Sequence, residues 1–434
     1  MRQLLPLLFI AATIFHPASG QVKIAIANAT IIDGTGHPPQ KHATVIVQGE
    51  KIVAITIASK KPPTDATVVD GTGKFLIPGL WNNDLHGPAY ADAKASLLSL
   101  VSYGITTVRD MGAPLDDIVR LRAETASGTL VGPRLFVAGP LLEGPIPIQM
   151  ALIVDLFSEK QARDEFRSLK QRDVNYVEVD TTLTPELYRA IADEARSQDL
   201  PLVGHIPATV SAWDVVEAHP KDVEHLGGRF LNVLISCSSD EAYFNHVTAQ
   251  TYEDLLIAVK EKRPANEPQF KADFDERLFD TFDGSKAPRL FRLSAKSGVV
   301  QTPTLYVLKT LWETNRDNQK LNERDMKFGK NIFAKDLEVV GEMKQAGVAI
   351  LGGTDGPYPQ GGEALHTEVE LLGSIPAAMG VSKDVGTIEV GKTADLVLLD
   401  ADPLTNISNT RKIDAVILHG RLFSKDDFSS MRNH

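Results

Sequence analysis

Gly79-Leu80-Trp81-Asn82-Asn83-Asp84-Leu85-His86 is a short apolar run that ends in two side chains able to hold a cation. Asp84 and His86 stand two apart, so on a strand both point to one side. Seven further runs follow: Ile105-Thr106-Thr107-Val108, Leu135-Phe136-Val137-Ala138, Asn175-Tyr176-Val177-Glu178-Val179, Leu200-Pro201-Leu202-Val203, Val223-Glu224, Val299-Val300-Gln301-Thr302 and Val348-Ala349-Ile350-Leu351. Most lead into helix-like sequence. Pro185 to Asp199 puts Leu187, Ile191 and Ala195 on one helical face, and the helical stretch Glu342 to Ala346 stops at Gly347. Strand then helix, eight times over, predicts an α/β fold, a (β/α)8 TIM barrel. No fixed-period repeat is visible, which argues against a solenoid. The interval His225 to Val299 is too long for one loop and helix, and is charged and helix-prone. It is expected to form extra helices, either a lid over the barrel mouth or peripheral decoration.

The two ends of the chain have a different texture. Lys23-Ile24-Ala25-Ile26-Ala27, Thr44-Val45-Ile46-Val47 and Lys51-Ile52-Val53-Ala54-Ile55 are short β-rich runs separated by turns such as Asp33-Gly34. The same pattern returns in Ala394-Asp395-Leu396-Val397-Leu398-Leu399 and Ala415-Val416-Ile417-Leu418. The expectation is a small composite β-sandwich built from both ends, residues 21–77 and 386–434, with the barrel at 78–385 inserted between them.

Met1-Arg2, the apolar run Leu4 to Phe15 and then Ala18-Ser19-Gly20 have the order of a secretory signal, residues 1–20. About 12 apolar residues fall short of the roughly 20 needed to span a bilayer, so a cleaved leader and a periplasmic or secreted protein are expected, with no span in the mature chain. A net charge of −11 argues against nucleic acid as a partner. The single cysteine, Cys237, excludes an intramolecular disulfide and a thiolate metal cluster, and reads as a packing residue. Any metal must therefore use His, Asp or Glu.

In a barrel of this kind the active site forms at the C-terminal ends of the strands. The polar residues there are Asp84 and His86, Glu178, His205, His225 and Asp355. Burying so many ionisable groups without a cation is costly. These six are the candidate metal ligands, for one or two divalent transition ions, zinc first with manganese or iron as alternatives. Such an ion lowers the pKa of bound water and polarises a carbonyl, and Asp355 is the candidate catalytic proton shuttle. Tyr306 and Arg109 are candidate substrate contacts, although Arg109-Asp110 reads equally as a structural ion pair. His366 reads as packing or capping locally, and His219 as a surface residue.

Asn28-Ala29-Thr30-Ile31-Ile32-Asp33-Gly34, Gly73 to Trp81, Gly104 to Asp110, Val223-Glu224-His225, Gly353-Thr354-Asp355 and Gly386 to Leu396 together resemble the amidohydrolase superfamily, most closely its imidazolonepropionase-like and prolidase-like branch. The resemblance covers nearly the whole chain after the leader. It implies the sandwich and barrel, a metal-dependent hydrolase of carbon–nitrogen bonds, and a small amide or short peptide as substrate, with a homo-oligomer possible. Three features depart from the pattern. Asp84-Leu85-His86 stands where the family usually has H-x-H, and Glu178 where many members carry a carboxylated lysine. Only 30 residues separate Asp355 from Gly386, shorter than the helical segment usual there. A catalytically impaired barrel that binds a small molecule and a prolidase-type dipeptidase both remain open as alternatives.

The leader gives the first prediction. N-terminal sequencing of exported protein is expected to begin at Gln21; an intact Met1 in a soluble cytoplasmic pool contradicts it.

Overall fold

The computed structural model describes residues 22–57, 61–87, 92–146, 150–227, 231–263, 272–317, 323–357, 361–373 and 386–432. The expected leader, and residues 374–385 of the short interval before Gly386, lie outside the described residues.

The strands in chain order are β1 Lys23–Ile31, β2 Gln40–Gln48, β3 Lys51–Ile57, β4 Thr67–Asp70, β5 Phe75–Pro78, β6 Leu80–His86, β7 Ile105–Asp110, β8 Arg134–Val137, β9 Leu141–Glu143, β10 Ile153–Asp155, β11 Val177–Val179, β12 Leu202–Gly204, β13 Asp222–Glu224, β14 Val300–Thr302, β15 Gly356–Pro357, β16 Leu396–Leu399, β17 Ile413–Leu418 and β18 Arg421–Ser424. One eight-stranded sheet draws on both chain ends, in the order β18-β17-β16-β5-β1-β2-β3 with β4 beside β1. Its junction is antiparallel β5 with β16, Leu76 opposite Leu398 and Ile77 opposite Val397. Arg134 at the start of β8 fastens this sheet to the middle of the chain, its Nε donating to Asp395 Oδ2 at 2.5 Å and its Nη2 to Glu50 Oε2 at 2.6 Å.

The middle of the chain is a mixed α/β arrangement with parallel pairing, β15-β6-β7-β8, β10-β9-β11-β12 and β13-β14. Every residue of β7 is buried, as is all of β6 before His86, the burial expected where helices cover a parallel sheet. Backbone hydrogen bonds link these groups, among them Asn175 N–H to Val137 O at 2.9 Å, Lys221 N–H to Leu202 O at 2.7 Å, Gln301 N–H to Ala349 O at 3.0 Å and Asn83 N–H to Gly352 O at 3.0 Å. Among the described residues the run Val348–Leu351 pairs through the bridge of Ile350 with Gln301. The short pair β9 and β10 falls between the expected third and fourth strands and was not among the apolar runs.

Helices alternate with these strands as the periodicity predicts. Pro185–Gln198 is typical: Thr184 caps it by accepting from Leu187 N–H, a proline opens its first turn, and Leu187 and Ile191 are buried. Helix Glu323–Gln345 stops before Gly347, at φ +90°. The long interval forms helices Asn232–Ser236, Glu241–Glu261, Ala272–Asp280 and Ala287–Ser297. Tyr252 of the second of these donates to Thr182 O at 2.7 Å, so that helix packs on the loop after β11. None of the described helices is long and apolar enough to cross a membrane.

Asp336, on Glu323–Gln345, is fully buried, with no hydrogen-bond partner for either carboxylate oxygen among the described residues. Burial pushes its pKa up to about 7. Unfolded, an aspartate titrates near roughly 4. Between these values the native chain holds a proton that the unfolded chain has lost, so stability falls as pH rises from about 4 to about 7 and then levels. Asp336→Asn is therefore expected to raise the urea midpoint at pH 8 and to lose that advantage by pH 4. A gain independent of pH contradicts the assignment.

Candidate metal centre

Four strand ends deliver the polar cluster. Asp84 and His86 close β6, His205 follows β12, Glu224 and His225 close and follow β13, and Asp355 directly precedes β15. The chain can reach Asp355 because Gly353 carries no side chain: a Cβ there would lie 2.5 Å from both Asp84 Cβ and Thr302 Cγ2. Thr354 and Asp355 N–H then both donate to Asp84 O at 2.9 Å, tying the two carboxylate-bearing segments together.

His225, Thr304 and Asp355 all adopt left-handed backbone, at φ +50°, +49° and +44°. That conformation is costly for a β-branched residue such as Thr304. The three meet: Thr304 Oγ1 lies 2.5 Å from His225 Nδ1, and His225 Nε2 lies 3.8 Å from Asp355 Oδ2. Strain of this kind persists where surrounding structure enforces it, and collects at functional sites.

Two groups of three ligand atoms result. Asp84, His86 and Asp355 each offer an atom within 4.8 Å of the others, and so do His205, Glu224 and His225. His86 Nε2 is 3.3 Å from Asp355 Oδ1 and 3.8 Å from Asp84 Oδ1. His225 Nε2 is 3.7 Å from Asp84 Oδ2, which joins the groups. His205 engages Asp180 Oδ1 through Nδ1 at 2.7 Å, and its ring meets that of His225 edge to face with centroids 4.9 Å apart. With Nδ1 occupied on both His205 and His225, Nε2 is the atom left for a cation.

The charges are as important as the distances. Asp84 is wholly buried and neither of its carboxylate oxygens has a hydrogen-bond partner among the described residues. Burial, and then the nearby Asp355 charge, raise its pKa to about 7. Burial likewise holds Glu178 and Glu224 well above the usual carboxylate range, each raised further by neighbouring acids. Burial pushes His225 down to about 4, leaving a neutral imidazole at pH 7. For His86 burial opposes protonation, but its hydrogen bond to Asp355 and the acid charges carry it up to about 9. Burial would raise Asp355, yet His225 and His86 outweigh it and bring it down to about 2. Carboxylate oxygens without donors, beside imidazoles whose second nitrogen is already held, fit a divalent cation bound by oxygen and nitrogen.

Five of the six expected ligands thus converge: Asp84, His86, His205, His225 and Asp355. Glu178 is buried in β11 outside both groups, with Oε2 lacking a hydrogen-bond partner among the described residues. Glu224 takes a place in the second group and was missed, although it sits beside His225 in the expected sixth strand. A charged residue inside a two-residue apolar run was the available signal.

Arg109 is corrected from a substrate contact to an interior ion pair. It is 2% exposed, donates from Nη1 to Asp222 Oδ2 at 2.8 Å, approaches Glu224 Oε1 to 3.7 Å and covers the Tyr176 ring at 5.0 Å. Tyr306 lies not on strand seven but in the first turn of helix Leu305–Asp317, where its N–H donates to Glu368 Oε2 at 2.6 Å. His366 is buried between Thr410 Oγ1 and Tyr103 O, each at 3.0 Å, as a packing residue should be. His219 is exposed and Cys237 is buried.

Comparison with known proteins places the chain in a family. The model of the Amidohydrolase family matches residues 75–423. N-acyl-D-aspartate deacylase of Alcaligenes xylosoxydans xylosoxydans is 34% identical over 121 residues, 27% of this chain and 24% of that protein. The match thus spans about a quarter of that relative's length. A solved Xaa-Pro dipeptidase with methionine bound in its active site superposes with a TM-score of 0.67 at 17% identity, covering 93% of this chain and 100% of that one. A. niger ochratoxinase gives a TM-score of 0.66 at 16% identity, covering 93% and 96%. At these identities the structural likeness shows a TIM-barrel-like α/β fold.

Removing the buried carboxylate tests the centre. Asp84→Ala is expected to lose at least one equivalent of metal after zinc loading and desalting, read by elemental analysis. Its metal-free form should unfold no more easily than the natural chain, because an unpartnered buried charge has gone. Unchanged metal content contradicts the assignment.

Proposed function

The chain belongs to the amidohydrolase family, and from that premise we propose that it is a metal-dependent hydrolase cleaving the carbon–nitrogen bond of a small amide or short peptide. The observation that carries this reading is the Asp84 carboxylate, wholly buried with two unpartnered oxygens, facing His86 and His225. One or two divalent transition ions are inferred, zinc first with manganese or iron as alternatives. Asp84, His86 and Asp355 would hold one, and His205, Glu224 and His225 another, with Glu178 buried outside both groups. The bound ion supplies Lewis acidity, which makes water a better nucleophile and a carbonyl a better electrophile.

The chain's own residues do the rest. Asp355 keeps 29% of its side chain exposed whereas Asp84 keeps none, so Asp355 is the carboxylate that water and substrate can reach. Its low pKa leaves it ionised at neutral pH, as a proton acceptor must be. Asp355 would take a proton from water and pass it to the leaving nitrogen. Arg109 partly offsets the charge of Asp222 and Glu224 from inside the molecule. Tyr306, half-buried and two residues after Thr304, remains a candidate substrate contact.

The architecture inferred with this function is a closed (β/α)8 barrel over 78–385 and a composite β-sandwich from 21–77 and 386–434. The backbone hydrogen bonds that link successive parallel groups support closure, and the β5–β16 junction supports the composite sheet. Export to the periplasm or medium follows from the leader-like first residues. A prolidase-type activity is the second reading, favoured by likeness to the Xaa-Pro dipeptidase; an impaired barrel that only binds a small molecule is the third.

A panel of N-acyl amino acids, cyclic amides and Xaa-Pro dipeptides, offered to metal-loaded protein, separates these readings. On whichever substrate turns over, Asp355→Asn is expected to lower kcat by ~10²–10⁴-fold, the usual cost of losing a general acid/base. Unaltered turnover would show that another group moves the proton.

A further inference from the structure

A second layer of polar contacts lies behind the candidate ligands, centred on the turn Asp180-Thr181-Thr182 after β11. Asp180 Oδ1 lies 2.7 Å from His205 Nδ1, and Thr181 Oγ1 lies 2.9 Å from the same nitrogen. Asp180 also accepts from Thr181 N–H at 2.6 Å and from the Thr181 hydroxyl at 2.8 Å. Asp180 N–H donates to Leu142 O at 3.1 Å, so the carboxylate is anchored through its own backbone as well.

The turn is gripped from two sides. Glu143, at the end of β9 and 2% exposed, accepts from Thr182 N–H at 2.8 Å, from the Thr182 hydroxyl and from Gly144 N–H at 3.1 Å. On the other side Tyr252, 7% exposed, donates to Thr182 O at 2.7 Å from helix Glu241–Glu261. That helix belongs to the long insertion for which the proposed chemistry has no role.

An imidazole offers one nitrogen to a cation, and the partner of the other nitrogen decides which one and at what angle. We propose that Asp180 is a positioning residue that fixes His205 by its Nδ1, presenting Nε2 to a metal, and that Glu143 and Tyr252 hold Asp180 in place by clamping Thr182. The inserted helix is then a determinant of metal affinity. The proposal rests on the metal-dependent reading above and adds to it which residues outside the ligand set control binding.

The test is competition of the full chain with a chromophoric chelator for Zn²⁺, alongside thermal unfolding of the metal-free protein and the visible spectrum of the Co²⁺ form. Asp180→Asn should weaken affinity ~10–100-fold, the cost typical of losing a partner behind a metal-bound histidine. Its metal-free unfolding midpoint should stay close to that of the natural chain, and its Co²⁺ spectrum should change. Tyr252→Phe should weaken affinity in the same direction by a smaller factor. Should Asp180→Asn fail to fold, Thr182→Val, which removes the hydroxyl held by Glu143, is expected to give the same weakening. Natural affinity in the Asp180 or Thr182 variant, with the natural chain binding metal, overturns the proposal and leaves the hydrolase reading standing. Natural affinity in Tyr252→Phe overturns the role of the inserted helix. A natural chain that binds no divalent ion overturns both the proposal and the metal-dependent reading.

Discussion

A carboxylate taken out of water needs either a proton or a partner, and the Asp84 carboxylate has no hydrogen-bond partner among the described residues. The rest of the centre is organised about that fact. Gly353 lets the segment before β15 press against Asp84, the two N–H groups of Thr354 and Asp355 lock onto its carbonyl, and His86 and His225 bring imidazole nitrogens to within 3.8 Å of its oxygens. The same contacts that bury the acid deliver the groups that could share a cation with it.

The surrounding charges sharpen the demand. Asp110, Glu178, Asp222 and Glu224 are buried with Asp84, and Arg109 is paired with Asp222 and close to Glu224. One guanidinium does not balance that many acids, and burial raises the pKa of every one of them. A protein in this state must keep several carboxyls protonated or hold divalent cations among them. The left-handed backbone at His225, Thr304 and Asp355 is in keeping with the second arrangement, because it is conformational cost concentrated on residues that face one another across the site.

Much of this was legible in the sequence for a simple reason: a parallel strand buried on both faces is a short apolar run, and its polar terminus is conspicuous. Asp84, His86, His205, His225 and Asp355 were found that way, and the motifs around them carried the family. Glu224 was not, because it stands within a run too short to show alternation and the φ of His225 that turns both side chains to one site leaves no mark in the residue types. The pair β9 and β10, Leu141–Glu143 and Ile153–Asp155, was not read from the sequence. Arg109 shows the opposite limit: its motif was visible, but only tertiary structure reveals that Asp222 and Tyr176 enclose it. Asp180 follows β11 and Glu143 closes β9, and their roles depend on contacts with His205, 25 positions on, and with Thr182, 39 positions on, which no local pattern encodes.

The central claim is that the buried acids are matched to bound cations rather than to protons. Thermal unfolding at pH 8 of the natural chain, before and after exhaustive chelation and again after zinc is restored, tests it most directly, because a ligand bound only by the native state raises its stability by mass action. The account predicts a lower midpoint on chelation and recovery on adding the metal back. One midpoint in all three samples, with no metal retained after loading, would contradict it.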